Sequence, residues 1–534
     1  MLKFSKLLTL LSLPFMLIGN SCGNNDAINE KEIEVSYIDD KYRSIYEIFP
    51  YSFSDSNKDG IGDLQGIIDK FDYIKNLNYS GIWLTPVHQS DSYHKYDVDD
   101  YMSIDRNFGT LEDYDNLVKK CHDNNMTILL DLVFNHTSDN NEWFTKCIYD
   151  HERNKVDDQY YNYYNVIKVG SSGVPSGYTQ IGNVAYESRF YSGMPDLNLG
   201  EVLTNPDGYL ANDLKKIIKF WLVDHDVDGF RLDAVTSYFT GDIDKNIEFL
   251  TWLNKIVKSY KSTAYVVGEG AWGNINENQR YYTSGIDSFF MFEDALADGF
   301  IAQVLNQQDA TYIPYAIDKN ILEAGDGIPA PFMANHDTGR LLGSVKGKSS
   351  VENTKFATGL LAMMSGTTYS YYGDEAGMAV YTGGSKVKDE DKRQPMPWGD
   401  EYQCNPVVGS SVDETFDKYP YGLVDNQLKD SGSLINYTKK ANLLRLQFAE
   451  ISRGKTEKVY ASDDDCLCAI KKTYKGKSVY ILINASRTKD KTYDFTDIGG
   501  EEVVGQLVTS SYIKQADKNV KKITIPPFGI AIIQ

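Results

Sequence analysis

Positive charge and cysteine are both scarce in this chain, and each shortage excludes some functions. The 534 residues carry 54 Lys and Arg against 75 Asp and Glu, for a formal net charge of −21. This acidic balance argues against nucleic acid and anionic membrane surfaces as partners. Beyond the first 22 residues five cysteines remain. Their spacing matches no zinc pattern, and their odd number leaves the pairing of any disulfide open. They are Cys121, Cys147, Cys404, Cys466 and Cys468.

Long apolar runs are also lacking, except at the beginning of the chain. Lys3 and Lys6 precede an apolar run over 7–18, which is too short to span a bilayer comfortably. Cys22 follows this run, as in a bacterial lipoprotein leader, although the usual leucine three residues earlier is Gly19. We therefore predict a leader over 1–22, lipid on Cys22, a polar tether over 23–40, and export to the cell envelope. Ordinary cleavage and secretion is the alternative.

From residue 44 onward, short apolar runs alternate with amphipathic helical patterns. The predicted strands cover 45–49, 81–85, 127–134, 229–235, 264–268, 288–292, 331–334 and 367–372. The clearest helical patterns cover 64–77, 111–124, 210–224, 246–261, 351–364 and 434–451. Eight strands that alternate with helices predict an α/β fold, a (β/α)8 TIM barrel built from 41–135 and 206–453.

Two segments do not fit the barrel pattern. Residues 136–205 are rich in Tyr, Gly, Asn and Ser and show no strong helical pattern. Since this is too long for a plain loop, we predict a small inserted domain after strand three. From 454 to 534 the pattern changes to alternating strands, at 468–471, 479–484, 503–508 and 522–533. This predicts a C-terminal antiparallel β-sandwich.

Acids and histidines collect where the predicted strands end. Strand three ends in DLVFNH (131–136), strand four in RLD (231–233), strand five in GEG (268–270) and strand seven in ANHD (334–337). Barrel active sites form at this rim, so we expect these side chains to share one pocket. Side chains alternate along a strand, so Arg231 and Asp233 point to the same face.

Three acids at this rim can take different catalytic roles. Asp233, beside a cation, stays ionised and is the predicted nucleophile. Glu269, with less support from cations, has its pKa raised by burial and is the predicted proton donor. Asp337 is expected to bind substrate hydroxyls. Two such carboxylates about 5 Å apart would indicate a retaining glycosidase.

Several separate motifs resemble those of the α-amylase family, glycoside hydrolase family 13, in the family's order. They are DLVFNH (131–136), MPDLN (194–198), GFRLDAV (229–235), VGEG (267–270) and FMANHD (332–337), with further landmarks at 93–101, 371–375 and 393–398. The resemblance implies that Asp233 is the nucleophile, Glu269 the general acid/base and Asp337 the transition-state stabiliser. It also implies that Tyr96 stacks on the sugar, while His94, His136, Arg231 and His336 bind its hydroxyls or the nucleophile.

The segment DSNKDGIGD (55–63) follows strand one and carries oxygen side chains at alternate positions. Such a series suits a hard cation, and the segment resembles a calcium loop of family members. We expect Ca²⁺ to be held by Asp55, Asn57, Asp59, Ile61 and Asp63. It is not an EF-hand, because the twelfth position is Gly66. A solvated turn is the alternative.

Three residues near the predicted site bear on the bond that is cleaved. Ala234 and Val235 after the nucleophile, and Met194 before PDLN, look more like members acting on α-1,4 bonds. We therefore predict a monomeric enzyme that hydrolyses starch or maltooligosaccharides with retention. A neopullulanase- or cyclomaltodextrinase-like or transglycosylating enzyme is the first alternative. A catalytically inactive glycan-binding lipoprotein is the second.

Overall fold

A computed structural model of the chain describes residues 41–171, 173–270, 275–295, 299–341, 350–380, 387–411, 421–509, 514–517 and 520–534. The leader, the lipid anchor at Cys22 and the tether fall outside the described residues and stay predictions. In the described part of the chain, no helix has the length and apolar character needed to cross a bilayer.

Eight parallel strands form one sheet that closes into the predicted barrel. In chain order they are Ser44–Ile48, Gly81–Leu84, Thr127–Leu132, Gly229–Leu232, Tyr265–Gly268, Ser288–Met291, Ala330–Pro331 and Thr368–Tyr371. Each strand pairs with the next, the eighth pairs with the first, and a parallel bridge from Phe332 to Tyr369 closes the ring between the seventh and eighth. All eight predicted strands are present, so the barrel prediction is confirmed.

The barrel strands are buried on both faces, and their alternation decides which side chains point inward. Ile45, Trp83, Leu129, Tyr265 and Val267 belong to one buried cluster inside the barrel. Their chain neighbours belong to the larger cluster between the strands and the outer helices. Polar residues that lie two positions from an inward-facing residue therefore also face the barrel interior.

The barrel strands are connected mostly through helices that pack around the outside. These are Leu64–Asp69, Phe71–Asn76, Leu111–Asp123, Leu199–Thr204, Tyr209–Lys219, Ile243–Tyr260, Ile275–Tyr281, Phe300–Gln307, Tyr312–Ala324, Val351–Ala362, Val424–Lys429, Leu434–Gln447 and Ala449–Arg453. Two predicted helices are each split in two. The predicted helix 64–77 breaks at Lys70, and the predicted helix 434–451 breaks at Phe448. Phe448 has an extended backbone and a buried side chain. The described part of the barrel also has short helices at Pro50–Phe53 and Asp389–Lys392, a 3-10 helix at Tyr282–Ser284 and a π-helical turn at Phe220–Asp224.

The inserted segment contains a helix that the sequence analysis missed. The helix Glu142–Glu152 begins after Asn141, whose side chain accepts a hydrogen bond from the Trp143 backbone. Its buried residues include Phe144, Cys147, Ile148 and His151, which follow the helical spacing. The expectation of no strong helix between 136 and 205 was therefore wrong.

Two small antiparallel sheets lie outside the barrel. Strands Val166–Lys168, Tyr178–Ile181 and Val184–Glu187 form one of them beside the helix Glu142–Glu152. In the other, which precedes the inserted segment, His88–Gln89 pairs with Asp100–Ile104.

The C-terminal region contains two antiparallel sheets. The larger has the order Lys455–Ala461, Leu467–Tyr474, Lys477–Asn484, Ile530–Ile533 and Val503–Leu507. The smaller has the order Lys491–Asp494, Val520–Ile525 and Lys514–Asp517. One face of the larger sheet packs on the smaller sheet, and the other face packs on barrel helices. The sequence analysis missed the strands at 455–461, 491–494 and 514–517.

Candidate active site

The Arg231 side chain lies at the centre of the site, with 0% exposure. It projects from the fourth barrel strand and contacts carboxylates from three strands. Its Nη1 is 2.9 Å from Asp131 Oδ1 and 2.7 Å from Asp233 Oδ1, and its Nη2 is 3.0 Å from Glu269 Oε2. One guanidinium thus bridges the predicted nucleophile and the predicted proton donor, which places both carboxylates in a single pocket.

The backbone that follows the fourth strand also holds Glu269. Ala234 has a φ of 47°, a left-handed conformation that is uncommon for a residue with a side chain. In this conformation its N–H donates a 2.9 Å hydrogen bond to Glu269 Oε2. The sequence analysis expected Glu269 to have less cationic support than Asp233. Arg231 contacts both carboxylates, at 2.7 Å for Asp233 and 3.0 Å for Glu269.

Burial raises the pKa of the carboxyl groups around Arg231. Burial raises the pKa of Asp233, Arg231 opposes the shift, and Asp337 adds to it. Burial likewise raises the pKa of Glu269, with Arg231 opposing and Asp233 adding. Burial raises the pKa of Asp131 to about 7. Because the pKa is raised for both Asp233 and Glu269, these shifts do not show which carboxyl group is the nucleophile and which is the proton donor.

A second charged group contains Asp337 and His336. His336 lies between two acids, with Nδ1 2.7 Å from Glu47 Oε1 and Nε2 3.0 Å from Asp337 Oδ2. Arg393 Nη2 is 2.9 Å from the other oxygen of Asp337. Burial raises the pKa of Asp337, but His336 and Arg393 outweigh it and hold that pKa below its usual range. Burial lowers the pKa of His336, but Asp337 and Glu47 outweigh it and raise the pKa to about 9.

Tyr96 joins the two charged groups. Its hydroxyl is 3.0 Å from Asp131 Oδ2 and 2.7 Å from His336 Nε2. Its ring stacks on the His336 ring, with the centroids 5.3 Å apart and the planes 15° apart. Side chains from strands three, four, five and seven therefore form one hydrogen-bonded network, to which strand three contributes Asp131.

The remaining predicted substrate-binding residues, His94 and His136, lie beside this network. His94 Nδ1 is 3.1 Å from both the Tyr96 backbone nitrogen and Ser92 Oγ. Burial lowers the pKa of His94 and of His136 to about 4, so both imidazoles are neutral at pH 7. Among the described residues, the buried Nε2 of His136 has no hydrogen-bond partner. The exposed Phe190 ring is 5.3 Å from the His136 ring.

Sequence reasoning assigned no role to three residues of this network. Asp131 opens the DLVFNH motif, Glu47 is the one acid in the first barrel strand, and Arg393 lies in the landmark at 393–398. Asp131 and Glu47 are buried and face inward, and Arg393 is buried as well. Two features of the sequence could have pointed to these residues. Asp131 and Glu47 are acids within buried strands, and Arg393 is an arginine within a motif. Their partners, however, lie far away in the sequence.

The segment 55–63 folds into a turn in which the side-chain oxygens of most predicted ligands accept hydrogen bonds from backbone N–H groups of the same turn. Asp55 Oδ1 and Oδ2 accept hydrogen bonds from the Lys58 and Gly60 backbones at 2.6 and 2.7 Å. Asn57 Oδ1 accepts from the Asp59 backbone at 2.9 Å, and Asp59 Oδ1 from the Ile61 backbone at 2.8 Å. Ile61 could contribute only its carbonyl oxygen.

Asp63 also has its carboxylate occupied by the loop. Its oxygens accept from Ser56 and from the Gly66 backbone, and it caps the helix Leu64–Asp69. Burial raises the pKa of Asp63, and the charge of Asp55 adds to the shift. Both carboxylates are buried, with 2% and 4% exposure, and within the described residues neither forms an ion pair with Lys or Arg.

The donor chemistry of this loop therefore fits a hard cation, which would neutralise the two buried acids. Among the described residues, no group of three or more His, Cys, Asp or Glu side chains is placed to hold a metal ion. A cation in this loop would have to use asparagine and backbone oxygens in addition to carboxylates.

Known proteins resemble this chain over nearly its whole length. The catalytic-domain model of the α-amylase family matches residues 47–454. Alpha-amylase 3 of Dictyoglomus thermophilum is 34% identical over 507 residues, which cover 92% of each chain. The solved structure of Eubacterium rectale Amy13B superimposes with a TM-score of 0.84 and 36% identity, covering 94% of this chain and 97% of that one.

A cyclomaltodextrinase of Thermoanaerobacter pseudethanolicus is also similar, at 28% identity over 86% of this chain and 72% of its own. The family match spans the barrel, including the strands that carry the Arg231 network. The chain therefore belongs to the α-amylase family and is a glycoside hydrolase.

Proposed function

We propose that this enzyme hydrolyses α-1,4-glucosidic bonds in starch and maltooligosaccharides with retention of configuration. The observation that carries the proposal is the contact of one buried guanidinium, that of Arg231, with both Asp233 and Glu269. Retaining glycosidases need two carboxyl groups close together, one to attack and one to transfer a proton. The shared guanidinium brings both carboxylates within 3.0 Å of one positive charge.

The proposed reaction has two steps. Glu269 protonates the glycosidic oxygen, the bond to the leaving sugar breaks, and Asp233 forms a β-glycosyl ester with the anomeric carbon. Glu269, now ionised, removes a proton from water, which attacks the anomeric carbon. The ester bond breaks, Asp233 leaves as a carboxylate, and the α configuration is restored. Burial raises the pKa of Glu269, which favours the protonated form needed for the first step.

Asp337 is proposed to stabilise the positive charge that develops on the sugar ring. His336 and Arg393 keep its pKa low, so it remains a carboxylate at the pH where Glu269 is protonated. The stacked Tyr96 ring offers a flat face to the sugar. Arg231 also holds the nucleophile in place, and the neutral imidazoles of His94 and His136 are proposed to bind sugar hydroxyls.

The preference for α-1,4 bonds rests on sequence and on the relatives. Ala234, Val235 and Met194 resemble the residues of α-1,4-acting members, and the 34% identical relative is named an alpha-amylase. A cyclomaltodextrinase-like activity is the second candidate, because a protein of that name matches over 86% of this chain.

We also propose that the loop 55–63 binds Ca²⁺ as a structural ion. Support comes from the two buried carboxylates, Asp55 and Asp63, which have no ion-pair partner among the described residues. The ion would be held by Asp55, Asn57, Asp59, Asp63 and the carbonyl of Ile61. It would stabilise the start of the helix Leu64–Asp69 and takes no part in the reaction steps above.

Replacing the nucleophile tests the proposed reaction. Asp233→Asn keeps the shape of the side chain but cannot form the ester readily, so kcat/KM on maltooligosaccharides should fall at least about a thousand-fold. The melting temperature should change little. Asp244→Asn, at a side chain with 86% exposure on a barrel helix, is the matched control and should keep full activity. Activity within a few-fold of the unmodified enzyme in Asp233→Asn would refute the assignment.

The product pattern separates the two candidate specificities. An α-1,4-specific amylase should release maltooligosaccharides from amylose, should leave the α-1,6 bonds of pullulan intact, and should act slowly on cyclodextrins. Chromatography of products over time on the three substrates gives the comparison. Faster cleavage of cyclodextrin than of amylose would instead support the cyclomaltodextrinase-like function.

The pKa of His336 makes the stability of the fold depend on pH. Its folded pKa of about 9 lies above the usual 6.5, so between these values the folded chain binds more protons than the unfolded chain. The contribution of His336 to the free energy of unfolding is therefore complete below pH 6.5 and is lost as the pH rises through about 9. Linkage gives about 3 kcal/mol for this loss.

Urea unfolding of the original chain and of His336→Gln at several pH values measures this contribution. The difference in unfolding free energy should shrink between pH 6.5 and 9. His88→Gln is the matched control, because burial lowers the pKa of His88 to about 3 and it stays neutral throughout this range. A difference for His336→Gln that does not vary with pH would contradict the ion pair.

Removal of divalent cations tests the calcium proposal. Chelation by EDTA should lower the melting temperature, and added Ca²⁺ should restore it, because the buried acids of the loop would otherwise repel each other. Asp59→Ala, at an exposed loop position, should weaken this response. Asp69→Ala, at an exposed position of the following helix, should leave it unchanged. If EDTA leaves the melting temperature of the original chain unchanged, the loop is a plain turn.

A further inference from the structure

The C-terminal region carries an open cavity of about 770 Å³ between the edges of its two sheets. The residues that line it all lie between 457 and 522, outside the barrel that holds the candidate active site. This volume falls within the range of about 300–1,000 Å³ that is typical of small-molecule sites. We call it the sandwich groove.

Apolar and aromatic side chains form one part of the sandwich groove. Val459 and Tyr460 on the edge strand are each 39% exposed, which is high for side chains of this size. The Tyr493 ring, from the smaller sheet, supports the Tyr460 ring at a centroid distance of 4.8 Å and 55° between planes. Tyr480 lines the cavity as well and is 9% exposed. Tyr460 is therefore the exposed ring, whereas Tyr480 and Tyr493 are buried.

A bulge in the edge strand directs Tyr460 into the sandwich groove. Lys458 pairs with Ile470 and Tyr460 pairs with Ala469, so Val459 is an extra residue in the strand. Ile470 faces the barrel helices, whereas Ala469 faces the smaller sheet. The extra residue thus moves Tyr460 to the face of Ala469, where it meets Tyr493. Bulges of this kind commonly re-aim a side chain at sheet edges and binding sites.

Four charged side chains line the sandwich groove, two of each sign. Glu457 and Asp494 are acidic, and Lys471 and Lys522 are basic. In the described part of the chain none of them lies within 4.0 Å of an opposite charge. Lys471 Nζ lies 5.8 Å from the Tyr480 ring, and Asp494 uses Oδ1 for Thr496, which leaves Oδ2 available. The balanced charge disfavours an ionic ligand, while carboxylates and ammonium groups bind hydroxyls strongly.

We infer that the sandwich groove is a second carbohydrate-binding site that takes a short stretch of an α-glucan chain. A glucose ring presents an apolar face for stacking on Tyr460 and a rim of hydroxyls for Glu457, Asp494 and the two lysines. The inference rests on the proposed function only for the identity of the sugar. The groove would hold the enzyme on a polymer while the barrel cleaves another part of it.

Binding to insoluble starch granules tests this site. The full chain carrying Asp233→Asn, which prevents digestion of the granules, is compared with the same chain carrying Tyr460→Ala in addition. Loss of the stacking ring should raise the dissociation constant about five- to ten-fold in a sedimentation assay. Tyr460→Phe keeps the ring and should bind nearly as well as the parent. Tyr209→Ala is the matched control, since Tyr209 is 62% exposed but lies on a barrel helix.

Activity on a short soluble substrate distinguishes a defect in the sandwich groove from a defect in the active site. Tyr460→Ala in the active chain should leave kcat/KM on p-nitrophenyl maltotrioside unchanged and should lower the rate on granules. Unchanged granule binding in Tyr460→Ala, or equal losses in Tyr460→Phe and Tyr460→Ala, would overturn the sandwich groove as a stacking site. Failure of Asp233→Asn to reduce turnover would count against the proposed function alone, and granule binding by the same variants would then be compared on ice over a short incubation, in which little starch is digested.

Discussion

The Arg231 guanidinium lies inside the barrel with no exposed surface and contacts carboxylates from the third, fourth and fifth strands. Several acids cannot stay ionised in a buried pocket without a nearby cation, and an arginine cannot be buried without acids. Removal of Arg231 would cost about 3–5 kcal/mol, because its three carboxylates would remain buried without their cation, whereas removal of one carboxylate leaves the guanidinium with two others. The Trp83 and Tyr96 rings, 5.2 and 5.8 Å from the guanidinium, pack against it and limit its movement. The rest of the site is arranged around this balance of charge.

The network of charged groups extends across the barrel through the Tyr96 hydroxyl. This hydroxyl contacts Asp131 on the Arg231 side and His336 on the Asp337 side. Glu47, from the first strand, contacts the far nitrogen of His336. A protonated His336 can donate to Tyr96, and Tyr96 can then donate to Asp131. Within this network His336 and Arg393 keep Asp337 ionised, whereas burial raises the pKa of Asp131 to about 7 although Arg231 opposes the shift.

Much of this site could be predicted from sequence because strand alternation and strand ends are local properties. Asp233, Glu269 and Asp337 each follow an apolar run, and the barrel geometry brings such positions to one rim. Glu47 and Arg393 could not be assigned, since their partners His336 and Asp337 are far away in the sequence. The helix Glu142–Glu152 was missed for a different reason. Its apolar spacing was present, but the surrounding Tyr, Gly and Asn content obscured it.

The edge strand Lys455–Ala461 was missed because it lacks the apolar alternation of a buried strand. Five of its seven residues are exposed, three of them charged, and a bulge interrupts its register. Charged residues and bulges are what protect an exposed edge from pairing with another chain. In this strand they also leave Val459 and Tyr460 accessible beside Glu457. The features that hid the strand from the sequence pattern are therefore the ones that form the sandwich groove. An edge kept open for solubility can bind a neutral polyhydroxyl chain, because sugar binding needs exposed aromatic and polar groups and no strand pairing.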